Sequence, residues 1–174
     1  GSHHRAGAAR LFHAGVAGSV LRHARTNLLI APDTIARSTV PRIQRVLVPV
    51  DRVDGAAHTV AVACSLVAGG GDVDILHVVD GDDAASHVEG DALARAMTSL
   101  TPKHAGADGI RVTTSTVDAP SVARAICANA LSKGADVICM RARARRRGAA
   151  LLGSVLDDVL RKSTVPVVVV RDEE

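Results

Sequence analysis

The stretch Arg45-Val46-Leu47-Val48-Pro49-Val50-Asp51 decides the fold of this chain. Apolar residues run through it without polar alternation, which is typical of a strand that is buried on both faces of a sheet. Asp51 ends the run at a turn. Strands of this kind occur in α/β domains, where helices follow strands, so the downstream residues test the assignment.

Apolar runs and helical stretches alternate from residue 45 to residue 171. Four further runs predict strands at 73–79, 110–117, 137–140 and 166–171. Apolar residues at helical spacing predict helices at 55–68, 90–104, 119–133 and 151–162. The alternation predicts an open five-stranded parallel sheet with helices on both faces. In such sheets ligands bind beyond the carboxyl ends of the strands, which here are Asp51, 78–82, 117–119 and Met140 onward.

Turn residues mark the ends of several predicted elements. Gly69-Gly70-Gly71 is expected to stop the first helix, and Gly134 is expected to close the third. Asp91 suits the N-cap of the helix at 90–104. These signals support the boundaries that the apolar pattern predicts.

Composition and charge exclude several classes of protein. Among the 174 residues 47% are hydrophobic, and the sole aromatic residue is Phe12, whereas stacking on single-stranded nucleic acid needs aromatic side chains. No apolar run reaches the roughly 18 residues of a membrane span. Residues 1–44 carry a net charge of +5 and residues 45–174 one of −2, so the body is not a basic nucleic-acid domain. We therefore expect a cytoplasmic protein without a membrane or nucleic-acid partner.

Two residue types that often bind metals are expected to be structural in this chain. Cys64, Cys127 and Cys139 lie in apolar stretches without ligand spacing, which favours reduced, buried thiols. His77 lies within an apolar strand, and a hydrogen-bonded core histidine is the preferred interpretation there.

The first 32 residues repeat the end of the chain at an offset of 139 residues. The matching residues are Val16 with Val155, Val20 with Val159, Leu21 with Leu160, Arg22 with Arg161, and 28–30 with 167–169. The offset is the length of one such domain, so the segment is interpreted as the end of a second copy; the alternative is chance similarity of two amphipathic units. The predicted organisation is a partial repeat at 1–32, a linker at 33–42 and a complete domain at 43–174.

Several short motifs occur in a fixed order and spacing. They lie at 46–51, 76–79, 133–138, 151–155 and 165–169, with partial copies at 1–5 and 20–24. Together they resemble the universal stress protein (UspA-type) family, fully over 43–171 and partially over 1–32. The resemblance implies a Rossmann-like five-stranded sheet that often pairs through its last strand, as a dimer or a tandem pseudo-dimer.

Many members of that family bind ATP through a loop of the form G-x2-G-x9-G-[ST]. Glycines let backbone amides close on phosphates, and a helix N-terminus adds positive potential. Counting back from Gly153, Met140 and Arg143 stand at the two earlier glycine positions. The resemblance places Asp51 beside the adenine and Val78 against the base. The candidate cofactor-binding residues are therefore Asp51, Val78, Met140, Arg143, Gly153, Ser154 and Val155.

Each candidate also has a structural interpretation. Asp51 either hydrogen-bonds adenine or ribose, or caps the turn after its strand. Ser154 either contacts phosphate or caps the last helix. Val78 is expected to be a core residue rather than a ligand contact. Five arginines within 141–147 are expected in a solvated loop, and the clamping of a polyanion is the alternative.

The apolar segment Leu28–Ala31 is expected to pair with another strand. An exposed apolar edge invites aggregation. Its repeat counterpart, Pro166–Arg171, is the natural partner, either within the chain or across a homodimer.

The resemblance, with its altered glycine loop, therefore implies a stress-response regulatory or binding protein that is not an enzyme and does not bind ATP strongly. One alternative is an ATP-binding, slowly hydrolysing protein in which Arg141–Arg147 contact the phosphates. Another is a regulatory domain of a larger protein such as a transporter. Intact loop glycines would have favoured ATP binding, so Met140 and Arg143 discriminate between the first two interpretations.

Overall fold

A computed structural model of the chain describes residues 16–32, 42–52, 55–79, 105–106, 108–142 and 153–171, together with the single residues 96 and 102. The helices and strands of this part are α1 Val16–His23, β1 Leu28–Ile30, β2 Arg45–Pro49, α2 Ala56–Leu66, β3 Asp72–Val79, β4 Arg111–Asp118, α3 Val122–Ser132, β5 Val137–Arg141, α4 Ser154–Lys162 and β6 Val167–Val170. The helix predicted at 90–104, with Asp91 as its N-cap, lies outside the described residues except for single positions.

The described strands form one mixed sheet in the order β1-β6-β5-β2-β3-β4. Strands β2 to β6 are parallel, as predicted. The prediction of five strands was one strand short, because β1 joins the sheet antiparallel to β6. The pairing expected for Leu28–Ala31 is thus present within the chain, and pairing across a dimer stays a prediction.

Two hydrophobic clusters cover the two faces of the sheet, which confirms the prediction of helices on both. Helix α2 packs on one face, over Val46 and Val48 of β2. Helices α3 and α4 pack on the other face, over Leu47 of the same strand. Neighbouring residues of β2 point into hydrophobic clusters on opposite faces of the sheet. Both sets must therefore be apolar, and polar residues do not alternate along the strand.

Strand β4 lies at one edge of the sheet and is not buried on both faces, contrary to the prediction. Exposed and half-buried residues mix along it, and Thr113, Thr114 and Thr116 are exposed. It is the edge strand beyond β3, so it has a neighbour on one side alone in the described sheet. Polar, β-branched residues suit such an edge because they do not offer an apolar template to other chains.

The glycines at 69–71 form the turn between α2 and β3, but they do not stop the helix as predicted, because the extended residue Val67 already caps it. Helix α2 ends at Leu66, and Gly70 adopts a left-handed φ of 82°. Gly71 is buried, and its backbone N–H donates to the Ala68 carbonyl at 3.0 Å. A Cβ on Gly71 would lie 2.5 Å from Cγ1 of Val67 and nearer still to the carbonyl oxygen of Gln44. Close backbone approach, rather than φ alone, therefore requires glycine at Gly71.

Replacing Gly71 by alanine is expected to lower the free energy of unfolding by about 2 kcal/mol, because the new methyl group overpacks a backbone contact. Urea denaturation followed by circular dichroism measures the change. Gly106→Ala is the control, since nothing lies within 4 Å of a Cβ there. Equal effects of the two substitutions would contradict the close-packing explanation.

Charged side chains hold the amino ends of the central strands. The Arg45 guanidinium donates to the Asp72 carboxylate at 2.7 Å, which keeps the pKa of that carboxyl below its usual range. Lys133 lies 3.3 Å from the Asp74 carboxylate. The Asp136 carboxylate accepts hydrogen bonds from the backbone N–H groups of Gln44 and Arg45 at 2.8 and 2.9 Å. These contacts hold the amino ends of the strands together, whereas the ligand crevice expected in a parallel sheet lies at the carboxyl ends.

Candidate functional site

The sheet has one switch point within its described strands, between β2 and β5. From β2 the chain moves outward to β3 and β4, and then returns to the other side of β2 to form β5 and β6. The connections leaving the carboxyl ends of β2 and β5 therefore run in opposite directions. A crevice opens at such a point in parallel sheets and is the usual place for a ligand.

A cleft of about 480 Å³ occupies this switch point. Its volume lies within the range of roughly 300–1,000 Å³ that is common for small-molecule sites. The ends of β2, β3 and β5 and the first turns of α2, α3 and α4 enclose it. The lining residues are Pro49, Val50, Asp51, Arg52, Ala56, Thr59, Leu76, Val78, Val122, Ile126, Met140, Arg141, Gly153, Ser154, Val155 and Leu156.

Asp51 stands at the rim of the cleft on a backbone that β3 holds in place. The N–H of Val50 donates to the Leu76 carbonyl at 2.8 Å. Nδ1 of His77 donates to the Val50 carbonyl at 3.0 Å. Both backbone polar groups of Val50 are therefore hydrogen-bonded, and the turn that carries the exposed Asp51 side chain is held at the mouth of the cleft. His77 is hydrogen-bonded, as predicted, and it positions this turn, but it is half-buried rather than a core residue.

Apolar side chains form the inner wall of the cleft. Val78 is half-buried, packs on the cluster under α3 and α4, and also lines the cleft. Met140 is 7% exposed and belongs to the same cluster. Ile126 of α3 closes the wall. Val78 therefore both packs against the core and lines the cleft, because the inner wall of the cleft is formed by side chains at the edge of the core.

The first turn of α4 forms the opposite side. Gly153 is the N-cap residue and has no side-chain cap, and Ser154 is the first helical residue. The interpretation in which Ser154 caps this helix was wrong. An N-cap residue precedes the first helical residue, and Ser154 is itself the first residue of the helix. Ser154 is exposed at the cleft, while Val155 is half-buried in it. The N–H groups of this first turn carry the positive end of the helix dipole.

Two arginines add positive charge to the cleft. Arg52 follows Asp51 directly, and Arg141 is the last residue of β5. The prediction that Arg141 belongs to a loop was therefore wrong for this residue. Its guanidinium occupies the space where a Cβ would lie on Gly55, the N-cap residue of α2. Gly55 has a left-handed φ of 74°, and this backbone conformation is what requires glycine there.

The structure brings six of the seven predicted site residues to one cleft. These are Asp51, Val78, Met140, Gly153, Ser154 and Val155. Arg143 lies outside the described residues, as do Arg145, Arg146 and Arg147. Sequence reasoning missed Thr59, Ile126 and Arg52, which also line the cleft. Arg52 could have been found from its position after the strand end, whereas the two helical residues carry no signal in a single sequence.

The cysteines behave largely as predicted. Cys64 and Cys139 are buried, and burial raises the pKa of the Cys139 thiol to about 12. Cys127 is partly buried, so the expectation of full burial was wrong for it. Within the residues that the structure describes, no three His, Cys, Asp or Glu side chains gather as a metal site would need. The described helices include none with the length and apolar character to cross a membrane.

The model of the universal stress protein family matches residues 42–171. The chain belongs to the universal stress protein family. The match covers residues 43–171, over which the sequence resembles the family, and the sheet has the Rossmann-like form expected of it. No curated protein matches the chain in sequence. Residues 1–32, for which a partial copy is predicted, lie outside the family match.

Solved structures of universal stress proteins have the same fold. One from Archaeoglobus fulgidus is 26% identical with a TM-score of 0.67, over 97% of this chain and 58% of that one. The chain thus spans little more than half the length of that protein. An A. fulgidus protein in complex with dAMP is 20% identical, with a TM-score of 0.57, over 74% of this chain and 98% of that one. A further universal stress protein, in complex with cAMP, is 23% identical, with a TM-score of 0.57, over 75% of this chain and 98% of that one.

Proposed function

We propose that this universal stress protein is a cytoplasmic, non-catalytic regulatory protein whose cleft binds the nucleoside part of an adenine nucleotide. The observation that carries the proposal is the cleft itself, at the switch point of the sheet, with Asp51 at its mouth. An apolar wall can receive a base, and a single fixed carboxylate can accept hydrogen bonds from a ribose or an adenine amino group. Neighbours of the same fold that hold dAMP and cAMP support this choice of ligand.

The triphosphate is the part of ATP that this cleft is expected to hold poorly. Backbone amides can wrap phosphates where glycines allow close approach. Met140 is a packed strand residue at the first of the family's loop glycine positions. At the far side the cleft offers the first turn of α4 behind Gly153, which suits one phosphate group better than three. We therefore propose that adenosine monophosphate binds about as well as ATP.

Binding rather than catalysis is favoured by the side chains of the cleft. Among its described lining residues Asp51 is the one carboxylate, and histidine does not occur. General acid–base chemistry generally needs a second titratable group within reach of the reacting atoms. Arg52 and Arg141 supply charge without a proton to exchange near neutral pH.

The alternative is a genuine ATP-binding protein in which arginines replace the loop glycines. Arg141 favours it, because its guanidinium stands at the cleft beside the N-terminus of α2. Guanidinium groups bind phosphate oxygens in a bidentate manner. The two proposals differ in whether the β- and γ-phosphates add affinity.

Isothermal titration with AMP, ADP and Mg-ATP separates the two proposals. We expect AMP and Mg-ATP to bind within about threefold of each other, each with a Kd weaker than about 100 μM, or roughly 5.5 kcal/mol. Mg-ATP binding that is tenfold tighter than AMP binding would favour the arginine-supported ATP site. Absence of heat with every nucleotide would overturn nucleotide binding and leave a protein partner as the function of this domain.

Asp51→Asn locates the binding in the cleft. We expect AMP affinity to fall three- to tenfold, which is about 1 kcal/mol, because a charged acceptor is lost. Asp118→Asn is the matched control, since Asp118 is also exposed at a strand end but on the edge strand β4. Equal effects on both variants would place the nucleotide elsewhere.

A further inference from the structure

The cleft at the switch point has lining residues from both faces of the sheet. On one face Val78, Ile126 and Met140 belong to the hydrophobic cluster beneath α3 and α4, and they form the apolar wall proposed to receive a base. On the other face Val50 and Ala56 belong to the cluster beneath α2. The second face, together with the first turns of α2, is called the α2 side of the cleft. The binding of a base to the apolar wall leaves the α2 side without an assigned role.

Thr59 is a buried polar residue on the α2 side of the cleft. It is 2% exposed and lines the cleft, and among the residues that the structure describes it is the one polar or charged residue that is fully buried. Burying a hydroxyl group without a good hydrogen bond costs free energy, so such a group normally has a close partner. The quality of its hydrogen bond therefore indicates whether the hydroxyl has a structural role.

The Thr59 hydroxyl has a weak hydrogen bond within the fold. It donates to the Gly55 carbonyl one turn earlier at 3.5 Å, whereas hydrogen bonds between oxygen atoms usually measure about 2.5–3.0 Å. On the same helix the exposed Ser65 hydroxyl donates to the Val62 carbonyl at 2.7 Å. The buried hydroxyl thus has the longer bond, although it has no water to replace it. A closer acceptor would be favoured over the Gly55 carbonyl.

The direction of α2 turns the Thr59 side chain toward the cleft. In a helix the Cα–Cβ bonds tilt toward the N-terminus, and the N-terminal turn of α2 lines the cleft through Ala56. Ala56 lies three residues before Thr59 on the same face of the helix, and its methyl group is small. The Thr59 carbonyl accepts a hydrogen bond from the Cys139 thiol at 3.9 Å. The hydroxyl is therefore the group of Thr59 that is suited to a ligand.

Arg141 influences which ligand group suits the α2 side of the cleft. Its guanidinium lies where a Cβ would be on Gly55, the residue whose carbonyl the Thr59 hydroxyl reaches. A guanidinium only donates hydrogen bonds, and a threonine hydroxyl has one hydrogen to donate. An oxygen that accepts hydrogen bonds, as in a ribose hydroxyl or a phosphate, therefore suits this side better than an amino group.

We propose that the Thr59 hydroxyl donates a hydrogen bond to a ribose or phosphate oxygen of the nucleotide in the cleft. This inference rests on the proposed function, since it requires an adenine nucleotide at this site. On binding, the hydroxyl exchanges its long hydrogen bond to the Gly55 carbonyl for a shorter one to the ligand. Because the hydroxyl is already shielded from water, little hydration is lost when the ligand arrives, and the new hydrogen bond adds to the affinity.

Thr59→Val tests the inference because it removes the hydroxyl and keeps the shape of the side chain. We expect the Kd of AMP, measured by isothermal titration, to rise about three- to tenfold. The Tm is expected to change by less than about 2 °C, because the hydrogen bond lost within the protein is a weak one. A structural hydroxyl would give the opposite pattern, with a lower Tm and an unchanged Kd.

Two further variants serve as controls. Thr59→Ser keeps the hydroxyl, and its Kd for AMP is expected to stay within about twofold of the wild-type value. Thr116→Val is the matched control for the loss of a hydroxyl, since Thr116 is exposed on the edge strand β4. We expect no change in the Kd of AMP for Thr116→Val.

Titration with adenosine identifies the ligand oxygen. A rise in Kd for Thr59→Val that is equal for adenosine and AMP would assign the hydrogen bond to the ribose. A rise that occurs with AMP and disappears with adenosine would assign it to the phosphate. Either result supports the inference, because both oxygens have the chemistry that it requires.

The outcomes that overturn the inference differ from those that overturn the proposed function. If Asp51→Asn weakens AMP binding while Thr59→Val leaves the Kd within about 1.5-fold of the wild-type value, the role of Thr59 is wrong and the nucleotide site stands. An equal rise in Kd for Thr59→Val and Thr59→Ser would attribute the effect to packing and overturn the inference as well. Absence of AMP binding to the wild-type protein would overturn the proposed function and, with it, this inference.

Discussion

Replacing Asp136 by alanine is expected to lower the free energy of unfolding by about 3 kcal/mol, because two hydrogen bonds to a carboxylate are lost at about 1.5 kcal/mol each. The carboxylate accepts the N–H groups of Gln44 and Arg45, and the Asp136 N–H donates to the Arg45 carbonyl at 2.9 Å. One residue thus joins the amino ends of β2 and β5, the two strands that flank the cleft. The Tm is expected to fall by about 6–12 °C in a calorimetric scan.

Asp136→Asn and Asp108→Ala are the controls for this prediction. Asparagine keeps one oxygen acceptor without the charge, so we expect a loss of about 1 kcal/mol. Asp108 is exposed in a turn, and its removal is expected to change the free energy of unfolding by less than about 0.5 kcal/mol. A loss for Asp136→Ala no larger than that for Asp108→Ala would show that the carboxylate does not hold the two strands together.

The parallel core of the fold could be predicted from the sequence because its strands are buried on both faces. Val46 and Leu47 are adjacent residues that enter opposite cores, and this is the physical origin of the unbroken apolar run. The position of the ligand cleft followed from the same prediction, since the carboxyl ends of parallel strands meet at one edge. Asp51, Val78 and Met140 could therefore be placed at one site before their contacts were known.

The remaining errors concern residues whose role depends on turns and on sheet order. Ser154 is one residue inside α4, a difference that a single sequence does not show. Arg141 is the last residue of β5 because it pairs with Val170. The arginine-rich sequence after Met140 gives no sign of this pairing and instead suggests a loop. Asp136 was part of a recognised motif, but its acceptor role depends on β2 lying beside β5 in the sheet. Sequence reasoning found the elements, while side chains that join distant elements needed the structure.

Replacing Met140 by glycine tests whether this residue blocks a nucleotide loop or builds the core. The side chain is 7% exposed, and the residue pairs with Val169 in the sheet. Removing a buried methionine side chain costs about 2–5 kcal/mol, and glycine in a strand adds about 0.5–1 kcal/mol, so we expect a loss of about 4 kcal/mol. The Tm is expected to fall by about 8–16 °C, and saturating Mg-ATP is not expected to restore it.

Met140→Leu is the matched control, because it nearly conserves volume and is expected to cost less than about 1.5 kcal/mol. A Met140→Gly variant that kept the wild-type Tm and gained a rise in Tm with Mg-ATP would show that the methionine only obstructs a phosphate loop. The expected result would show that Met140 has two structural roles. The same side chain closes the core beneath α4 and forms the wall against which a base would lie, so a glycine there would weaken the cleft that the phosphates need.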